Sequence, residues 1–262
     1  MAVLRFVLIA FGVTWAGVAP LVLSHLGVGP PWPAWLHGIG ALGPLAAAFL
    51  SPGGRHPFRS RGASRLPRGL LVFCLLTPFL FAAVALGFEA AAGTPVVPVL
   101  ATRLGDADWV FGVLAVSLLY GFGEEPGWRG WLLPRLQTRY PVTSATLLLT
   151  LIWGVWHAPF FVYRFDFQGP VTIFGFFVGL LAGAFWLTFL FNSTGGSVWT
   201  VATWHALWNV VNIGLAPISA RAVGVVNGLM MVLGFGTWLV FRRRGLSIDG
   251  RVIRDGRAAV AA

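Results

Sequence analysis

Long apolar runs follow one another almost from end to end of the chain, each close to the length that carries a helix across a hydrocarbon core. Little room is left for another architecture. Stretches of about 20 residues fall near 4–25, 32–51, 69–90, 107–124 or beyond, 142–163, 170–191, 197–215 and 222–241. In lipid a spanning backbone has to satisfy its own hydrogen bonds, so each run is expected to be helical. The expected fold is all-α: a polytopic membrane protein of about eight transmembrane helices, with a polar site between the later ones. Residues 1–241 form one helical domain, with a motif-bearing core at about 107–215, and 242–262 form a short cytoplasmic tail without fixed structure. The first run follows a single basic residue, is long for a signal-peptide core and lacks a small-x-small cleavage site, so it is expected to remain as a span.

Charge gives the orientation. Only 10% of the residues are charged against 57% hydrophobic, and mean hydropathy is +0.82. The net charge of +10 comes from 18 basic residues, all arginine, placed between the apolar runs and at the C-terminus. That distribution points to membrane topology and away from a nucleic-acid face. With eight spans, Arg5, Arg55, Arg59, Arg61, Arg65, Arg68, Arg129, Arg135, Arg139 and the tail arginines from Arg242 onward share one side, and only Arg103, Arg164 and Arg221 lie on the other. The positive-inside rule then puts both termini in the cytoplasm of a cell-membrane protein. Glu89, Asp106, Asp108 and Asp166 fall near outer ends. Cys74, the one cysteine, sits inside an apolar run, which excludes an intrachain disulfide and suits a small packed side chain. Gly175, Gly179 and Gly183 recur every four residues and suggest a helix-packing seam. Interfacial belts and packing account for most of the 13 tryptophans.

Against this background, polar residues inside the spans stand out. The fourth run ends in GFGEEPGWRG, with Glu124, Glu125 and Arg129, and the later spans add His157 in WGVWH and His205 with Asn209 and Asn212 in HALWNVVN. Charged side chains at membrane depth cost several kcal/mol and mark functional sites by default. His25 and His37 lie near outer span ends and His56 in a basic loop, where interfacial solvation suffices. His157 and His205 are surrounded by apolar residues and need partners from other helices. On a helix His205 and Asn209 share a face, with Asn212 continuing the stripe, and Glu125 and Arg129 can pair at i, i+4. Glu124 then points about 100° away from Glu125, toward a different partner. Pro126 predicts a kink or a fresh helix start just below the glutamates. If the fourth span continues to about Thr138, Glu124 lies roughly 21 Å from its cytoplasmic end, close to the roughly 22 Å expected for His157 and 12–18 Å for His205 and Asn209. The long, kinked helix is therefore the better reading.

Glu-Glu-x-x-x-Arg, aromatic-x-x-x-His and His-x-x-x-Asn, in this order over residues 124–209, resemble the motifs of the CPBP family of intramembrane proteases, which includes the CAAX prenyl endopeptidases and bacteriocin-processing or immunity-associated bacterial members. The first four helices resemble the family only in being hydrophobic. Trp153 stands where the family commonly has Phe, and is expected to supply an aromatic wall one turn from His157. No prenyl-binding determinant is visible, so a prenylated substrate does not follow.

The resemblance implies an endopeptidase acting on a membrane protein or peptide in the bilayer. Glu124 and His157 would hold and deprotonate a water, His205 and Asn209 would stabilise the oxyanion, and Glu125 and Arg129 would support them. Spacing leaves the two glutamates interchangeable. No cofactor is firmly implied. Zinc is the candidate, with Glu124, His157 and His205 as ligands, although the single-helix His-Glu-x-x-His signature is absent. Two other classes share the cluster: a proton-coupled transporter or channel using Glu, His and Arg as a relay, and a non-catalytic membrane scaffold. A rhomboid-type serine protease fits worse, because no Gly-x-Ser-x-Gly accompanies a membrane histidine.

Overall fold

A computed structural model describes residues 1–260 except 54–56, 166, 168 and 256, so Arg55, His56 and Asp166 lie outside the described residues. The protein is an all-α polytopic membrane protein. In chain order the helices are α1 (Ala2–His25), a 3₁₀ stretch (Ala34–Ala41) running into α2 (Leu42–Leu50), α3 (Arg68–Ala91), α4 (Val96–Leu104), α5 (Ala107–Glu125), a π-helical segment (Pro126–Leu132), α6 (Leu133–Arg139), α7 (Val142–Trp156), α8 (Phe160–Tyr163), α9 (Pro170–Ser193), α10 (Val198–Leu215) and α11 (Ala220–Phe241). Five helical stretches are long and apolar enough to cross a membrane by length and composition, and Ala34–Leu50 and Val142–Trp156 are shorter apolar helices. Together with α10 they occupy all eight expected spans. The short α4 was not expected; it lies in the connection before Asp106, whose side chain accepts from Trp109 N at 3.0 Å and starts α5.

The fourth span runs from Ala107 to Arg139. Pro126 lacks an N–H, yet the helix neither stops nor restarts there; it widens into π geometry for seven residues and resumes as α6. Such wide turns absorb an irregularity in the hydrogen-bond ladder and recur at functional sites. One carbonyl of the segment, Gly130 O, accepts from Arg61 Nη2 of the basic loop at 3.0 Å. Small residues let neighbouring helices close around this span. A Cβ at Gly121 would lie 2.5 Å from Ala202 O of α10, and one at Gly123 would lie 2.5 Å from Ala41 O beside α2.

The fifth span departs from its expected single run over 142–163. It breaks after Trp156, because Pro159 cannot donate back into α7, and one turn later α8 begins. The expected glycine seam on α9 also differs. Side chains at Gly175 and Gly183 would meet open space, whereas a Cβ at Gly234 of α11 would collide with the Ala182 carbonyl of α9. The close α9–α11 contact is made there. Cys74 is buried, as expected.

The tail is folded rather than loose. After a 3₁₀ turn (Arg242–Arg244) the chain returns over α6 and α9 and forms an antiparallel pair, β1 (Arg251–Arg254) with β2 (Arg257–Val260), in the register Arg251 opposite Val260. Leu246, Val252 and Ile253 are buried. The Asn192 amide donates to Gly245 O and Gln137 Oε1, both at 3.0 Å, and accepts from Ile253 N at 3.2 Å. Gln137 Nε2 donates to Ile253 O at 2.7 Å. Arginine count alone reads this segment as solvated, but its adjacent Val252 and Ile253 cover buried amides on two helices.

Candidate active site

The polar cluster is assembled by α5 and the π segment, α7 and α10. Glu124 and Glu125 close α5, one turn above Arg129, and helical geometry persists between them. Arg129 Nη1 accordingly donates to Glu125 Oε1 at 2.7 Å, with both side chains fully buried. The same oxygen accepts from His205 Nδ1 of α10 at 2.8 Å. Glu125 thus binds a guanidinium from its own helix and an imidazole from another.

Glu124, 2% exposed, turns to a different side, as its offset from Glu125 predicts. Its Oε2 accepts two indole N–H groups, Trp128 Nε1 at 3.0 Å and Trp153 Nε1 at 2.6 Å. Trp153 also presents its ring face to Arg129, whose Cζ lies 4.6 Å from the ring centroid, and its ring is edge-on to His205 at 5.9 Å.

The break in α7 explains how His157 is held. As the C-cap of α7, His157 bends its backbone N–H to Gly154 O at 3.1 Å. Trp153 O then receives the His157 side chain, Nδ1 at 2.7 Å. Since a carbonyl only accepts, Nδ1 carries the hydrogen and Nε2 is the open nitrogen. Trp156, Phe160 and Phe176 pack around the ring, with centroids 4.8, 5.7 and 5.2 Å away. His205 likewise uses Nδ1 on Glu125, leaving its Nε2 open.

Of the residues expected in the site, Glu124, Glu125, Arg129, Trp153 and His205 are joined by direct contacts. His157 joins them through Trp153; among the described residues it makes no hydrogen bond to Glu124. Asn209 is half-buried one turn above His205, with no side-chain hydrogen bond among the described residues. Asn212 turns away from it to α11, donating to Trp208 O and accepting from Asn227 Nδ2, each at 3.0 Å. Trp128 escaped the sequence reading, although its position four residues after Glu124 placed it one turn below the carboxylate. His37 is not simply solvated: Tyr163 OH lies 2.8 Å from its Nδ1, and Tyr120 OH donates to His37 O at 3.0 Å.

The fit to zinc follows from the donor set. Among the described residues no three His, Cys, Asp or Glu side chains converge as a metal-holding group. The buried side-chain atoms without a partner in the cluster are Arg129 Nε, Arg129 Nη2 and Glu125 Oε2. Two of these three are donors on a cation, which call for an acceptor and repel a metal ion. Among the described residues Glu124, His157 and His205 are not gathered as a ligand set.

The family comparison falls on the same segment. Residues 106–211 match the family described as type II CAAX prenyl endopeptidase Rce1-like. A CAAX prenyl protease 2 of Methanococcus maripaludis is 32% identical over 120 residues, which make up 46% of this chain. The match spans 41% of that relative's length. The family match covers the helices that carry the Glu-Glu-Arg, Trp-His and His-Asn motifs, and over that core the chain is similar to CAAX-type endopeptidases.

Proposed function

We propose that this protein is an intramembrane endopeptidase that hydrolyses a peptide bond of a membrane-associated protein or peptide with a water activated by Glu124 and His157. The supporting observation is the division of labour between the two glutamates. Glu125 Oε1 is occupied by Arg129 and His205, whereas Glu124 has two indole donors on Oε2 and, among the described residues, no hydrogen bond on Oε1. Glu125 and Arg129 support; Glu124 does chemistry.

In the proposed reaction Glu124 Oε1 takes a proton from water while His157 Nε2 accepts the second water hydrogen and orients the nucleophile. The hydroxide adds to the substrate carbonyl carbon. The proton on Glu124 then passes to the leaving nitrogen as the C–N bond breaks. The oxyanion faces Asn209 and His205 Nε2. Because His205 Nδ1–H already donates to Glu125, donation from Nε2 requires the imidazolium form, with Glu125 as its counter-ion. In that state two carboxylates face one guanidinium and one imidazolium, and a balanced cluster suits membrane burial better than a net charge. No step passes through a metal.

The bilayer is the setting and nucleic acid has no part in it; both termini and the basic loop are proposed to be cytoplasmic. The methanogen relative is named for prenylated CAAX proteins, so a prenylated C-terminal peptide is the first defined substrate to try. The general test compares new peptide termini in membranes with the wild-type protein and with none. Termini that appear only with the protein support the proposal. Movement of a solute or proton without a cleaved product would favour a transporter, and neither product nor transport would favour a scaffold.

A further inference from the structure

Trp153 touches more of the cluster than any motif residue, and it does so with three chemically different parts. Its indole N–H donates to Glu124 Oε2 at 2.6 Å, its ring face lies against Arg129 at 4.6 Å, and its backbone carbonyl accepts from His157 Nδ1 at 2.7 Å. An aromatic wall uses only the second. The first fixes the carboxylate: with Trp128 on the same oxygen at 3.0 Å, Oε2 is held by two donors from different helices and only Oε1 can turn toward a reacting water. The third sets the tautomer of His157, leaving Nε2 as an acceptor.

From this geometry we infer that Trp153 is a positioning residue whose indole N–H holds Glu124 in the orientation for water activation and, through its own carbonyl, ties that orientation to His157. The inference rests on the proposed water site. One residue fixes both water-holding groups, so their separation depends on the Trp153 backbone and ring, not on independent motions of α5 and α7. Preorganisation of this kind acts on the chemical step, because a carboxylate free to rotate spends less time facing the water. Burial among apolar rings strengthens it, since no bulk water competes for the indole donors.

Trp153→Phe is the test, because it deletes the N–H while keeping an aromatic face over Arg129 and the backbone carbonyl on His157. On a peptide spanning a terminus mapped in membranes, kcat should fall roughly 10- to 100-fold, the range of one charge-assisted hydrogen bond, with KM within about twofold. A packing role would move KM and thermal stability together. A second measurement needs no substrate. In protein labelled with ¹⁵N-tryptophan, Trp128→Phe and Trp153→Phe each remove and so assign one of 13 indole resonances. Glu124→Gln should shift those two indole protons upfield more than the other eleven, because a neutral acceptor replaces a carboxylate. If neither resonance moves, or if Trp153→Phe keeps wild-type kcat while Glu124→Gln is inactive, Trp153 is not a positioning residue and the proposed water site stands. If the wild-type protein cleaves nothing, the proposed function fails and the positioning role with it.

Discussion

His205 donates its Nδ1–H to Glu125 Oε1 across 2.8 Å, joining α10 to α5 at the centre of the cluster. The contact orients the imidazole and gives its charged form a counter-ion. Glu125→Gln should therefore lower kcat by roughly 10² or more, as removal of an orienting carboxylate does in histidine-based catalysis. It should also destabilise the protein by about 3–5 kcal/mol, since Arg129 is left buried without a full partner. Pairing Glu125→Gln with Arg129→Met should recover much of that stability and none of the activity. Thermal melting in detergent and turnover, measured on the same preparations, separate the two effects.

Much of the architecture is legible in the sequence because lipid imposes a single length scale, so the eight spans and the persistence of helix beyond Glu125 follow from apolar runs and depth. The bond between Glu125 and Arg129 follows from their spacing of four. What spacing cannot supply is the partner on another helix. Nothing local tells Trp153 to bond Glu124 rather than pack beside it, and tryptophan in a membrane protein has a ready interfacial explanation. The π segment is hidden for a related reason: Pro126 announces an irregularity, but neighbouring backbones at Ala41 and Ala202 decide whether the helix kinks or widens. Val252 and Ile253 are too few to announce a docked tail until the buried amides of Asn192 and Gln137 are seen beneath them.

The docked tail carries its own expectation. Asn192→Ala removes four hydrogen bonds that tie α6, α9 and the tail together. At about 0.5–1.5 kcal/mol each it should cost about 2–6 kcal/mol. Truncation after Arg244 should lower the melting temperature similarly, while the molecules that remain folded keep their kcat. A truncated protein with unchanged melting would show that the tail adds nothing to the fold.

Orientation is tested by labelling. Single cysteines at Ser60 and at Ala262, which lies outside the described residues, introduced with Cys74→Ala, should both react only after the cytoplasmic side is opened. Reaction of both from outside would invert the topology, and reaction from opposite sides would require an odd number of spans.

Metal dependence is tested on purified active protein. Zinc should be substoichiometric, and chelation should leave turnover within about twofold of untreated protein. Stoichiometric zinc whose removal stops cleavage and whose return restores it would recast His205 as a ligand.

The most direct measurement is turnover by Glu124→Ala and His157→Ala, each purified as folded, membrane-inserted protein, on a peptide spanning a mapped terminus. Both groups act on one water in the proposed site. Each variant should lose cleavage by roughly 10³-fold or more, as expected when the activated water is lost, while folding and insertion are unchanged. Near wild-type turnover by either variant would contradict the assignment of Glu124 and His157 as the groups that activate the water.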